Sequence, residues 1–138
     1  MSAPFTLGKV GHFVLAVSDS RASADWYIRN LGLRHAFEFG GRVGVRGDDV
    51  LIVFAPGTPS PATLRHIAFH LPTRAALEAA LAHLKAGGVV VEDPGDEIGP
   101  EAPGSPNIGI WFDDPDGYRI ELNVQGGAES PSATAIAR

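Results

Sequence analysis

"RHIAFHL", Arg65 to Leu71, is a short apolar run with two histidines four positions apart, and a similar run, "GHFVLAV", Gly11 to Val17, begins 54 residues earlier. Side chains alternate between the two faces of a strand, so His66, Ala68 and His70 share one face while Ile67, Phe69 and Leu71 share the other. In the earlier run His12, Val14 and Ala16 stand opposite Phe13, Leu15 and Val17. In both runs histidine lies away from the bulkier apolar set.

Outward from these two runs the same order of elements repeats. After Val17 the polar stretch "SDSRAS" suits a helix N-cap and predicts a helix over about Ala22 to Leu31, ending at Gly32. After Pro72 and Thr73, the segment Arg74 to Ala86 carries Leu77, Leu81 and Leu84 on one helical stripe and ends at Gly87, 55 residues beyond Gly32. Strand signals follow the first helix at Arg34 to Phe39, Arg42 to Arg46 and Val50 to Ala55, and the second at Val89 to Glu92, Ile108 to Phe112 and Arg119 to Val124. A repeat at this spacing points to duplication of one βαβββ unit, an α+β arrangement, with "PGTPSP" joining the halves. The expected organisation is one domain over 1–125, with modules at about 9–55 and 65–124 and a flexible tail over 126–138. "DPGDEIGPEAPGSPN", Asp93 to Asn107, reads as a long loop, either a lid or a solvated excursion.

Composition narrows the function classes. The chain has 138 residues, 44% hydrophobic and 20% charged, enough for one compact core. A formal net charge of −5 with dispersed Lys and Arg argues against a nucleic-acid partner. Without cysteine, any metal must be held by nitrogen and oxygen. "MSAPFTLGKV" lacks a signal-peptide pattern and no stretch has the length of a membrane span, so a cytoplasmic location is expected.

The last strand signal, "YRIELNV", embeds a carboxylate in an apolar strand, with Arg119, Glu121 and Asn123 alternating with Ile120, Leu122 and Val124. Three strands thus offer His12, His66 and Glu121. If their faces line a common concavity, two imidazoles and a carboxylate form the facial set that suits a divalent cation with open positions; otherwise they are ordinary strand residues and Glu121 pairs with a neighbouring cation. Trp111, Phe54 and Tyr118 are candidate pocket walls, whereas Trp26 and Tyr27 read as helix packing. "DDPDGYRIE" fails the register of a calcium loop and reads as a hairpin turn using Pro115, Asp116 and Gly117.

The segments "GHFVLAVSDSRASADWYIRNLGL", "HIAF" and "WFDDPDGYRIEL", in this order over His12 to Leu122, resemble the vicinal oxygen chelate superfamily. This group includes glyoxalase I, extradiol dioxygenases, methylmalonyl-CoA epimerase and the fosfomycin and bleomycin resistance proteins. The resemblance implies paired βαβββ modules forming a U-shaped mixed sheet around a cavity, helices outside, with His12, His66 and Glu121 holding Fe2+, Mn2+, Zn2+ or Ni2+. Where glyoxalase I carries a further glutamate, this chain reads "LIVF", with Ile52 at that place, which leaves three ligands as in an extradiol dioxygenase. The extradiol pattern in turn requires a histidine near Ala102 to Gly104 and a tyrosine at position 111, and this chain has Trp111 and no such histidine. His70, one pleat beyond His66, is either an acid or base for the bound substrate or a surface histidine.

Two functions follow from the resemblance. One is a divalent-metal enzyme, dioxygenase-like or lyase/isomerase-like, acting on a small organic molecule with vicinal oxygens; the other is a metal-free protein that sequesters a drug. A homodimer is expected in either case.

Overall fold

The computed structural model describes residues 3–92 and 98–127. Two compact units divide the chain, Met1–Pro59 and Ser60–Arg138. The first contains β1 (Phe13–Val17), α1 (Ser20–Leu31), β2 (Arg34–Phe39), β3 (Arg42–Arg46) and β4 (Leu51–Pro56). The second contains β5 (Ile67–His70), α2 (Arg74–Ala86), β6 (Gly99–Pro100), β7 (Ile108–Asp113) and β8 (Arg119–Val124). Each is βαβββ. The sheets have matching orders, β1-β4-β3-β2 and β5-β8-β7-β6, with the first strand parallel to the last and the remaining pairs antiparallel. The repeat expected from the sequence is therefore present in the topology.

Caps set the helices. The Asp19 side chain accepts from the Ala22 N–H at 3.0 Å, starting α1 two residues before the predicted position, and Gly32 closes it at φ 69°. Thr73 caps α2 in the same way through the Ala76 N–H, at 3.1 Å. At its far end Gly88, one residue beyond the predicted stop, takes the left-handed conformation.

In the first unit α1 packs on β3 and β4, over the face that carries Leu15, Val17, Val43, Val45, Ile52 and Phe54. Tyr27 of α1 lies ring to ring with Phe54 at 4.8 Å, and both are fully buried. In the second unit α2 packs on β7 and β8, and its buried Leu77 and Leu84 share a core with Ile110, Phe112, Ile120 and Leu122. Fully burying one such side chain contributes roughly 1.5–3 kcal/mol. Strand parity then leaves the opposite face of each sheet free of its helix.

Two strand expectations differ from the structure. Val89 to Glu92 forms no strand; it keeps one ladder-like bond, from the Glu92 N–H to the Trp111 carbonyl at 2.8 Å. The sheet edge is instead β6, inside the stretch read as a loop. Its two residues are Gly and Pro, which give no alternation to detect, and proline is tolerated at an edge because no donor is needed on the outer side. Residues 93–97 and the expected tail from 128 onward lie outside the described residues.

Candidate functional site

The helix-free face of the second unit is polar, and its residues come from adjacent strands in register. Ala68 of β5 pairs with Glu121 of β8, His70 with Asn123, Trp111 of β7 with Glu121, and Gly109 with Asn123. Glu121 and Asn123 are buried, at 2% and 3% exposure. Glycine at 109 is what leaves space for the carboxylate, since a Cβ there would stand 3.1 Å from Glu121 Oε2 and 3.1 Å from the Leu122 carbonyl.

His66 sits one residue before β5. The Arg65 backbone has φ 61°, and the His66 N–H donates to the Leu64 carbonyl two residues back, at 2.8 Å. This is the rarer, strained form of the γ-turn, in which a residue with a side chain occupies the left-handed region. It brings His66 Nε2 to 3.7 Å from Glu121 Oε1, beyond hydrogen-bond reach. The Trp111 ring meets the His66 ring edge to face at 5.0 Å, and the Arg119 guanidinium stacks 4.7 Å over Trp111 while pairing with Glu92 and, at 3.8 Å, with Asp113. The Trp111 Nε1 is buried with no hydrogen-bond partner among the described residues.

The other Glu121 oxygen belongs to a network. Asn123 Nδ2 donates to Glu121 Oε2 and to Glu101 Oε2, each at 3.2 Å. Asn123 Oδ1 accepts from His70 Nδ1 at 2.5 Å. Glu101 Oε1 accepts from Ser105 Oγ and Asn107 Nδ2, each at 2.8 Å. Burial pushes the Glu121 carboxyl up to about 7, reinforced by its hydrogen bond to Glu101, whereas Glu101 is held below the usual range first by that same bond. Glu121 keeps the proton of the pair. Sequence reading missed Glu101, because strand parity says nothing about a residue in a turn and the surrounding stretch has several acids. The part of that stretch from Glu101 to Asn107 is tied down by these bonds and by the Glu101 N–H to the Asn107 carbonyl, 3.0 Å.

The remaining candidates separate. His12 occupies in the first unit the place that His66 has in the second, one residue before the first strand, and is exposed. Phe54, expected to line a pocket, lies instead on the helix-covered face against Tyr27, because it falls on the same parity as Ile52. Tyr118 is also buried, and its hydroxyl accepts from the Ser60 N–H at 3.1 Å, a tie that fastens the start of the unit to the β7–β8 turn. In that turn the side-chain acceptor is Asp114, which takes the Asp116 and Tyr118 N–H groups at 2.9 Å, while Gly117 supplies the positive φ as expected. The register also moves the place equivalent to Glu121: Val14 pairs with Val53 as Ala68 pairs with Glu121, so Val53, not Ile52, stands there. The first unit still offers no carboxylate at that position.

Among the described residues no three His, Asp or Glu side chains form one metal-holding group. His66 and Glu121 nevertheless fit a cation as a pair. Two donor atoms about 2.1 Å from one ion lie about 3.4 Å apart at a tetrahedral angle, close to the 3.7 Å observed. A buried carboxyl beside an imidazole is also a donor set whose charge a cation would balance.

No curated protein matches the chain. Among solved structures, a genomically encoded fosfomycin resistance protein, FosX, from Listeria monocytogenes has 19% identity and a TM-score of 0.71, covering 92% of this chain and 99% of its own. A form of that protein complexed with Mn(II) and sulfate aligns with a TM-score of 0.69 at 19% identity, covering 92% and 96%. A lactoylglutathione lyase from Agrobacterium tumefaciens has 15% identity and a TM-score of 0.67, covering 88% and 96%. These likenesses are in fold. The sequence profile of one family matches residues 9–122, most of the length, and by that match the chain belongs to the Glyoxalase/Bleomycin resistance protein/Dioxygenase superfamily.

Proposed function

We propose that the protein is a divalent-cation-dependent enzyme acting on a small organic molecule that presents two neighbouring oxygens, with His12, His66 and Glu121 as the cation's ligands. The observation that carries this reading is the buried Glu121 carboxyl with Oε1 3.7 Å from His66 Nε2. His12 joins the set by its equivalent place in the repeat. The complex of the FosX relative with Mn(II) supports the class of cation. Bound there, a divalent ion supplies Lewis acidity toward a chelating oxygen pair. The chain's own residues do the rest. Glu121 would hold the cation as a deprotonated carboxylate that offsets its charge, and Trp111, braced by Arg119, forms an apolar wall beside His66. Val53 in place of a further carboxylate keeps the protein ligand set at three, leaving positions for substrate. Dioxygenase-like and lyase or isomerase chemistry both operate from such an open site.

Elemental analysis of protein purified without chelator tests the reading. About one equivalent of a divalent transition metal per chain is expected, falling to background in Glu121→Gln. A metal-free protein that binds a drug tightly, with affinity indifferent to His12, His66 and Glu121, would instead make it a sequestering protein. A homodimer is part of the proposal, and light scattering giving the mass of one chain at micromolar concentration contradicts it.

A further inference from the structure

The two oxygens of Glu121 have different surroundings. Oε2 accepts from Asn123, while Oε1 lies toward His66, 3.7 Å from its Nε2. Asn123 itself is saturated: both Nδ2 hydrogens are spent, one on Glu121 and one on Glu101, and Oδ1 accepts from His70. With His70 Nδ1 as donor, the amide cannot flip without setting its NH2 against the imidazole N–H and its oxygen against two carboxyl groups. Glu101 is in turn fixed by Ser105 and Asn107. The chain of contacts runs from exposed His70, through a buried amide, to one oxygen of a buried carboxyl.

We infer that His70, Asn123 and Glu101 are positioning residues that restrict Glu121 to one-oxygen ligation through Oε1, and that this restriction sets which cation the site accepts. The inference rests on the cation reading above and extends it to selectivity. Ca2+ takes six to eight oxygens and commonly a bidentate carboxylate, whereas transition ions bind well through a few nitrogen and oxygen donors. A glutamate with one oxygen already engaged therefore disfavours Ca2+. Releasing Oε2 weakens binding of a transition ion, because the ligand loses its orientation, and lessens the penalty against Ca2+. Loss of an orienting partner of this kind typically costs about 10–100-fold in metal affinity.

The test is titration of the chelator-treated full chain with Mn2+ and, separately, with Ca2+, for wild type, His70→Ala and Asn123→Ala. Expected are Mn2+ binding at least about 100-fold tighter than Ca2+ in wild type, a loss of about tenfold or more for Mn2+ in both variants, and a Mn2+:Ca2+ ratio narrowed by about tenfold. Should Asn123→Ala fail to fold, His70→Ala, altered at an exposed strand end, carries the test. Nitrogen NMR of the metal-free wild type adds a readout independent of binding: His70 is expected as the Nδ1–H tautomer, reverting toward Nε2–H in Asn123→Ala. Wild type binding Mn2+ with both variants unchanged, or His70 found as Nε2–H, overturns this inference alone. Absence of Mn2+ binding by wild type overturns the cation reading together with it.

Discussion

Glu121 shows how one side chain can be structurally costly and still be retained. A carboxyl buried on a sheet face, with one amide donor on Oε2, titrates at about 7 instead of its ordinary 4.5. A group whose folded value is raised binds protons in the folded state that the unfolded state has lost. Its stabilising contribution is full below about 4.5 and disappears as pH rises through about 7. Metal-free protein is therefore expected to lose stability toward denaturant between those limits, an effect that Glu121→Gln removes. A flat profile over that range contradicts the assignment. Cation binding should strengthen over the same interval, because ligation needs the proton gone. Phe54 makes the contrasting case. Fully buried against Tyr27, it belongs to the core of the first unit, so Phe54→Ala should cost about 3–5 kcal/mol of stability. A loss below about 1 kcal/mol in chemical denaturation contradicts that placement.

At the scale of elements, the γ-turn at Arg65 is where local preference gives way to the site. A non-glycine residue held at φ 61° costs roughly 1–2 kcal/mol, and that cost sits immediately before His66. Arg65→Gly relieves the strain but adds freedom to the unfolded chain, worth about 0.5–1 kcal/mol. A net gain in stability of up to about 1 kcal/mol is expected from thermal denaturation, and a clear loss would mean that Arg65 is held by something other than strain. This turn also marks the limit of what the sequence discloses. Parity read off "RHIAFHL" and "YRIELNV" put His66, His70, Glu121 and Asn123 on the faces where they stand, because strand alternation follows from backbone geometry alone. Phe54 departs from the pocket expectation because in "VLIVFAP" it shares the parity of Ile52, which faces α1. Glu101 and β6 are illegible because turn residues and a Gly-Pro edge have no period; Glu101 takes its place from the Asn123 side chain of β8, and β6 from its pairing with β7.

Over the whole molecule, the two units share a topology and yet differ in the residues that their helix-free faces carry. Both have the same sheet order and a histidine before the first strand, but the position that carries Glu121 in the second unit carries Val53 in the first. In the proposed ligand set the first unit would supply His12 and the second His66 and Glu121, with no further carboxylate from the first. No helix of the described residues is long and apolar enough to cross a membrane. We propose that His12, His66 and Glu121 together hold one divalent cation. Calorimetric titration of Mn2+ into chelator-treated wild type and the single variants His12→Ala, His66→Ala and Glu121→Gln tests it most directly. Expected are one site per chain in wild type and a loss of at least about 100-fold in each variant, a drop of about 2.7 kcal/mol in binding free energy. Wild-type affinity retained in any one of the three would contradict it.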